Sequence, residues 1–307
     1  MGEKIRSANS RVCMKCLQLL PLDVMILFAR LVNPKYNIYQ RMGLTEAMPI
    51  PNETAAERIV MDMIKDGLFV DFVETLIRID TDGYMGRRYT LWGLKNVVTG
   101  LLNEGYSYDK VSGQFFENQQ ERISPNWGRL LEGDERKMTT LRLDIVGNSV
   151  LVKNNPRSKI EKTYDEVRQI VNTAVTSRNG RLWSWEGDGA LAVFLFGAIE
   201  KMAVCAGMEI LHELFFFNRL RNTLDSPVNV RMGISIGQLR YSGSETERLK
   251  NDTVKQTIAL EGMASPNAIS ASYNIYMNMD SEILGLFGPE KTGRSGKYRL
   301  YTMGLGK

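Results

Sequence analysis

Residues 181–194, RLWSWEGDGALAVF, set Gly187-Asp188-Gly189 between two strand-like runs. Apolar residues on both sides of a glycine-flanked aspartate predict a β-hairpin with a carboxylate at its tip. TLRLDIVG at 140–147 reads as a preceding strand. Between the two, Tyr164, Val167, Ile170, Val171 and Ala174 recur at helical spacing until Asn179-Gly180 ends the helix. After the hairpin come a long helix near 197–223, the strand VNVRMGISIG, a second strand-like run GQLRYSG, a helix near 252–263, the strand AISAS, a further helix and a closing strand KYRLYTM. The order β-α-β-β-α-β predicts an α+β, ferredoxin-like domain over 139–307, with helices on one face of the sheet and elaboration at its end.

Upstream the pattern is helical. Residues 18–32 are largely apolar, and Thr54-Ala55-Ala56-Glu57 reads as a capping box before Ile59, Val60, Met63 and Ile64, with Gly67 as a stop. Leu68, Phe69, Phe72, Val73, Leu76 and Ile77 repeat the pattern before Asp82-Gly83. Residues 12–80 thus form an expected all-α domain, and 81–138, with a short apolar helix near 91–102, an expected connector.

The chain has 307 residues and 43% hydrophobic content, enough for a sizeable core. Lys and Arg number 39 against 35 Asp and Glu, without a basic tract, so neither nucleic acid nor a membrane surface is an expected partner. The sequence lacks a run of 18 uncharged apolar residues, and MGEKIRSANSR lacks a secretory core, which reads as cytoplasmic. Cys13 and Cys16 have no second pair to complete a tetrahedral zinc site and read as reduced thiols. The single histidine, His212, sits in EILHELFFF and is expected to pack on a helix, which disfavours a histidine-based triad. In GPEKTGRSGK the glycine intervals do not fit a P-loop.

Two aspartates remain: Asp144 at the end of the first strand and Asp188 at the hairpin turn. The first and third strands of a β-α-β-β unit are neighbours, so these carboxylates are expected to converge. Paired hard oxygen ligands at a sheet end suit Mg²⁺ or Mn²⁺ held together with substrate phosphates.

These residues resemble the class III nucleotidyl cyclases, the family of adenylyl and guanylyl cyclase catalytic domains. EGDERKMTTLRLDIVGNS resembles the family's entry strand and Asp-Ile-x-Gly motif, GRLWSWEGDGALAVF its Gly-Asp-Gly hairpin, VNVRMGISIG its Val-Arg-x-Gly-Ile strand, and NDTVKQTIALEGMASPNAISAS its late helix and strand. The resemblance spans about 134–303. It implies that Asp144, Asp188 and the Ile145 carbonyl ligate metal. It also implies that the backbone of Val146, Gly147, Asn148 and Ser149 cradles a triphosphate, and that a head-to-tail homodimer completes the site. More loosely, residues 12–80 resemble the effector-associated, death-fold-like adaptor domains of bacterial signalling proteins, which implies a protein partner for that end.

Other positions depart from the family pattern. The ribose-orienting asparagine is replaced by Lys255 and the transition-state arginine by Ala259. The purine-selecting lysine is replaced by Ser184 and its acidic partner by Arg248. Lys255, Arg294 and Lys297 are candidate replacement cations near the phosphates. Loss of one electrostatic contact to a transition state costs on the order of 10²–10³ in rate. Three readings follow: a metal- and nucleotide-binding cyclase homologue with weak or lost activity, an active cyclase of altered base choice, pyrimidines included, and a non-catalytic dimerisation and adaptor module.

Overall fold

A computed structural model describes residues 7–117 and 124–303, and the chain divides into two compact units between residues 122 and 123. Four residues of the expected 139–307 domain, 304–307, and part of the expected connector, 118–123, lie outside the described residues.

The first unit comprises α1 (Ser7–Leu17), α2 (Leu22–Val32), α3 (Ile38–Met42), α4 (Asn52–Lys65), α5 (Phe69–Asp82), α6 (Leu94–Asn103) and a hairpin of β1 (Tyr106–Asp109) and β2 (Gln114–Glu117). Thr54 does not cap α4. The helix starts after Pro51, whose fixed φ prepares the first turn and which lacks an N–H to leave unpaired. Phe28, Ile59, Met63, Phe69, Phe72, Leu76, Val97, Leu101 and Phe115 are buried together, so α6 and β2 complete this core rather than serving as a tether. Within it, the Tyr36 hydroxyl donates to Asp62 Oδ2 at 2.9 Å, satisfying a carboxylate that Arg58 also pairs from one helical turn away.

The second unit follows the expected order. It contains β3 (Glu135–Ile145), α7 (Asn148–Asn154), α8 (Arg157–Thr176), β4 (Arg181–Glu186), β5 (Gly189–Phe194), α9 (Ile199–Leu220) and β6 (Val230–Arg240). Then come α10 (Glu245–Leu249), α11 (Asp252–Met263), β7 (Ala268–Ser272), α12 (Tyr273–Tyr276), α13 (Ser281–Leu284), β8 (Lys291–Gly293) and β9 (Gly296–Thr302). The two runs read as VNVRMGISIG and GQLRYSG are one continuous strand, β6. The sheet order is β4-β5-β3-β6-β7-β9-β8, with β6 and β7 parallel and the other pairs antiparallel. His212 is on α9 and exposed.

Alternation along β3 sorts its side chains. Leu141, Leu143 and Ile145 join Val167, Val171, Val204 and Ile210 of α8 and α9 in the main core. Each such fully buried aliphatic side chain contributes about 1.5–3 kcal/mol. Thr140, Arg142 and Asp144 face the other way. Helices do not all lie on one face as expected: α11 covers this second face. It sits close on β6, where a Cβ at Gly233 would fall 2.3 Å from the Thr257 carbonyl oxygen. Three buried hydroxyls join it to the sheet, with Thr140 Oγ1 2.5 Å and Ser235 Oγ 2.6 Å from Thr257 Oγ1.

Residues 124–134, also in the expected connector, belong to this unit and strap β4. The indole N–H of Trp127 donates to the Asn179 carbonyl at 2.7 Å, that of Trp183 to the Pro125 carbonyl at 3.0 Å, and Arg181 Nε to the Ser124 carbonyl at 2.9 Å.

Candidate functional site

Strand pairing brings the two aspartates to one end of the sheet. Asp144 is opposite Gly189, and the Ile145 amide donates to the Asp188 carbonyl oxygen at 3.1 Å, tying the end of β3 to the hairpin turn. Both carboxylates are half-buried. Asp144 also lies opposite Arg231 of β6, whose Nη2 donates to Asp144 Oδ2 at 2.7 Å. Arg231 Nε lies 3.2 Å from Glu261 Oε1 of α11, close enough for an ion pair but not aligned as a hydrogen bond.

The second face therefore carries two carboxylates, Asp144 and Glu261, and two guanidiniums, Arg142 and Arg231, with Asp188 in the turn at its end. Burial, then the neighbouring Asp144, pushes the Glu261 carboxyl up, while Arg231 and Arg142 oppose the rise. The hydrogen bond to Asp144 raises Arg231. Arg142 crosses the hairpin so closely that a Cβ at Gly189 would fall 2.4 Å from its Nη2, which accounts for the second glycine of Gly-Asp-Gly.

After β3 the chain turns at Gly147, whose φ of 70° is left-handed and suits glycine. The Val146 amide donates to Asn229 at 2.8 Å, so it is already used and cannot join the expected cradle. Gly147, Asn148 and Ser149 precede or open α7, and their amides have no acceptor among the described residues. Asn148 Oδ1 accepts from the Tyr164 hydroxyl of α8. Burial, then Asp188, raises the Tyr164 phenol.

The donor set suits a hard divalent cation: two carboxylates, with Asp188 accepting no hydrogen bond on its side chain among the described residues. No cluster of three or more His, Cys, Asp or Glu side chains is arranged to hold a metal among the described residues. A cation here would thus take its remaining ligands from main-chain carbonyl, water or phosphate oxygens.

The remaining expected positions divide. Ser184 and Arg248 do come together: both are buried, and Arg248 Nη2 donates to the carbonyl of Trp183 at 2.8 Å. A bulge in β4 between Leu182 and Ser184 sends Trp183 toward Tyr241 and Arg248, while Trp185 packs under Arg168 on the other side, so the two tryptophans do not share a face. Lys255 is exposed and paired with Asp252 at 2.9 Å. Ala259 is exposed two residues before Glu261, about 200° around the helix from it. Arg294 and Lys297 lie in the β8–β9 hairpin, and β9 is three strand spacings, about 14 Å, from β3. They do not join residues 147–149 within one chain, and Lys297 instead pairs with Glu290 at 2.9 Å.

Sequence reasoning missed Arg231, Glu261, Arg142 and Tyr164. The available signal was a charge inside an apolar strand, Arg231 in VNVRMGISIG.

No protein-family model matches the chain. It is 29% identical over 119 residues to uncharacterized proteins of Mycobacterium bovis and Mycobacterium tuberculosis, covering 39% of this chain and 21% of each relative's length. The chain thus spans about a fifth of those relatives. Among solved structures it is similar to the adenylyl cyclase CyaB from P. aeruginosa, with 19% identity, 56% of this chain and 95% of that one covered, and a TM-score of 0.48. It is also similar to an adenylate/guanylate cyclase/hydrolase from Silicibacter pomeroyi, with 22% identity, 56% and 99% coverage, and a TM-score of 0.46. A third is the guanylyl cyclase domain of the RhoGC fusion protein from the fungus Blastocladiella emersonii, with 16% identity, 55% and 97% coverage, and a TM-score of 0.48. No helix among the described residues is long and apolar enough to cross a membrane.

Proposed function

We propose that the second unit binds a divalent cation, Mg²⁺ or Mn²⁺, and a nucleoside triphosphate at the open end of β3, with cyclic-nucleotide formation weak or lost. The observation that carries this reading is the convergence of Asp144 and the Asp188 turn next to the unengaged amides of Gly147, Asn148 and Ser149. The amides and the left-handed Gly147 form a main-chain concavity for phosphate oxygens. A bound cation would neutralise phosphate charge. Tyr164 fixes Asn148 at the rim.

Low turnover follows from what the chain lacks. Ala259 offers no guanidinium to a developing charge, and Lys255 is exposed with an acidic partner of its own. Lys255, Arg294 and Lys297 reach phosphate only if a second copy presents them, so the same reading makes the protein a head-to-tail homodimer. The helical unit is then the arm for a protein partner. One observation favours an active cyclase of altered base choice: the Ser184 hydroxyl is buried and unpartnered, a free polar group at the position matching the family's base reader.

The test is Mn²⁺-dependent binding of each of the four nucleoside triphosphates, with mass spectrometry for cyclic products, in the native protein, Asp144→Ala and Asp188→Ala. Metal-dependent binding lost in both variants, with little product, is expected. Absence of such binding in the native protein overturns the proposal, and rapid cyclisation of ATP or GTP replaces it with the active enzyme.

A further inference from the structure

Arg231 already occupies one oxygen of Asp144. Its Nη2 lies 2.7 Å from Asp144 Oδ2, and its Nε lies 3.2 Å from Glu261 Oε1. The first contact is an aligned hydrogen bond. The second is not: Nε and Oε1 are both buried and neither has a hydrogen-bond partner. The guanidinium is therefore fully seated on one carboxylate and half-seated on another.

We propose that Arg231 is a built-in counter-ion of Asp144, which must transfer to Glu261 before a divalent cation can bridge Asp144 and Asp188. This rests on the metal-binding reading of the site and names the device that governs it. A divalent ion ligated by Asp144 would sit next to the guanidinium already held there, and at that separation like charges repel strongly in a half-buried setting. Asp144 and Arg231 are register partners on adjacent strands, so the transfer requires only rotation of the arginine side chain. The destination is prepared. The Glu261 side chain is 10% exposed, so little water competes for it, and Arg231 is the cation paired with it. Arg142, two residues along β3, stays over the hairpin and leaves the face with a positive charge after the exchange.

Removing the counter-ion and removing its second seat should shift metal affinity in opposite directions. The probe is Mn²⁺ alone, with free ion quantified by electron paramagnetic resonance in titrations of the whole chain, without nucleotide or turnover. Arg231→Met is expected to bind Mn²⁺ about fivefold or more tighter than the native protein, and Glu261→Gln weaker by a similar factor. Asp188→Ala should abolish the binding in each background. Should Arg231→Met not fold, Arg231→Lys keeps the charge but loses the fork that spans two carboxylates, and is likewise expected to bind tighter than native. A purely structural role for the pair would weaken binding in both variants. The proposal is overturned if the folded Arg231 variant binds no more tightly than native, or if the two substitutions shift affinity the same way. If neither the native protein nor the Arg231 variant binds Mn²⁺ through Asp188, the metal reading itself fails, an outcome separate from failure of the exchange.

Discussion

Arg248 donates to the main-chain carbonyl of Trp183 across 2.8 Å, and its guanidinium lies 5.5 Å from the centroid of that residue's own indole. Its Nη1 donates to the Ser242 carbonyl at 2.8 Å. Both terminal nitrogens of this buried cation are thus spent on the main chain, holding the bulge of β4 against the turn that follows β6, while its Nε has no partner.

Replacing Arg248 by Met should therefore destabilise the second unit. Two buried carbonyls lose a charged donor, for an expected loss of about 2–4 kcal/mol. Urea denaturation would measure it, and site-resolved amide exchange should show β4 opening sooner than β6.

Two glycines near one helix should respond oppositely to the same substitution. Gly233→Ala places a methyl 2.3 Å from the Thr257 oxygen and 2.4 Å from the Glu261 nitrogen, so α11 must lift from the sheet. A loss of about 3 kcal/mol or more is expected, beyond ordinary overpacking because the obstacle is backbone. Gly262→Ala meets nothing within 4 Å and sits inside α11, so a gain of about 0.5–1 kcal/mol is expected. Thermal melts of the pair decide it.

How the sheet was built could be read in advance; what α11 covers could not. Local alternation and turn residues gave the hairpin, most of the strands and the boundaries of α11, because those signals lie within a few residues of one another, whereas β6 read as two runs and the three-residue β8 left no pattern. The pairing of Asp144 with Arg231 depends on a register between positions 87 apart, and the nearness of Glu261 on how a helix crosses that pair. Strict alternation would put positions 183 and 185 of β4 on one face, but the bulge at Trp183 separates the two tryptophans, since one extra residue shifts the alternation. In the first unit, YSYDKVSGQFFE was read through as connector although its tyrosines and phenylalanines flank an Asp-to-Gly turn. What made that hairpin part of the core is Phe115, buried among the helices.

The helical unit should weaken in alkali. Burial, then Cys16, raises the Cys13 thiol; burial, then Asp80, pushes Cys16 up to about 11; burial, then the bond to Asp62, raises the Tyr36 phenol. In the unfolded chain thiols lose protons near pH ~8.5 and tyrosine near ~10, so above those values the folded state binds more protons and stability falls as pH rises. The contribution is complete below about pH 8.5 and declines by about 1.4 kcal/mol per pH unit for each such group. For Cys16 the decline ends at about 11. Chemical denaturation followed by far-UV circular dichroism at about pH 8 and about pH 10 should show it, and Cys16→Ala should flatten the slope. An unchanged slope in that variant would remove Cys16 from the account.

Trp127→Ala should be among the costlier single changes. The side chain is fully buried, its indole N–H donates to Asn179, and Arg181 lies over its ring at 5.4 Å. Loss of about 3–5 kcal/mol is expected from denaturant unfolding, as for other buried aromatics cut to alanine.

The strap formed by residues 124–134 has a further consequence, because β4 is the outermost strand on its side of the sheet. A fragment beginning at residue 135 would retain every strand and helix of the second unit, yet it would leave Arg181 without its contacts to Ser124 and Trp127 and uncover the Trp183 indole. An apolar outer strand freed in this way offers its unpaired peptide groups to any other extended chain, and self-association through them is how such sheets aggregate. Those eleven residues, too irregular to count as an element, are therefore expected to keep one copy from templating the next, and a fragment that starts at 135 is expected to aggregate where one that starts at 124 does not.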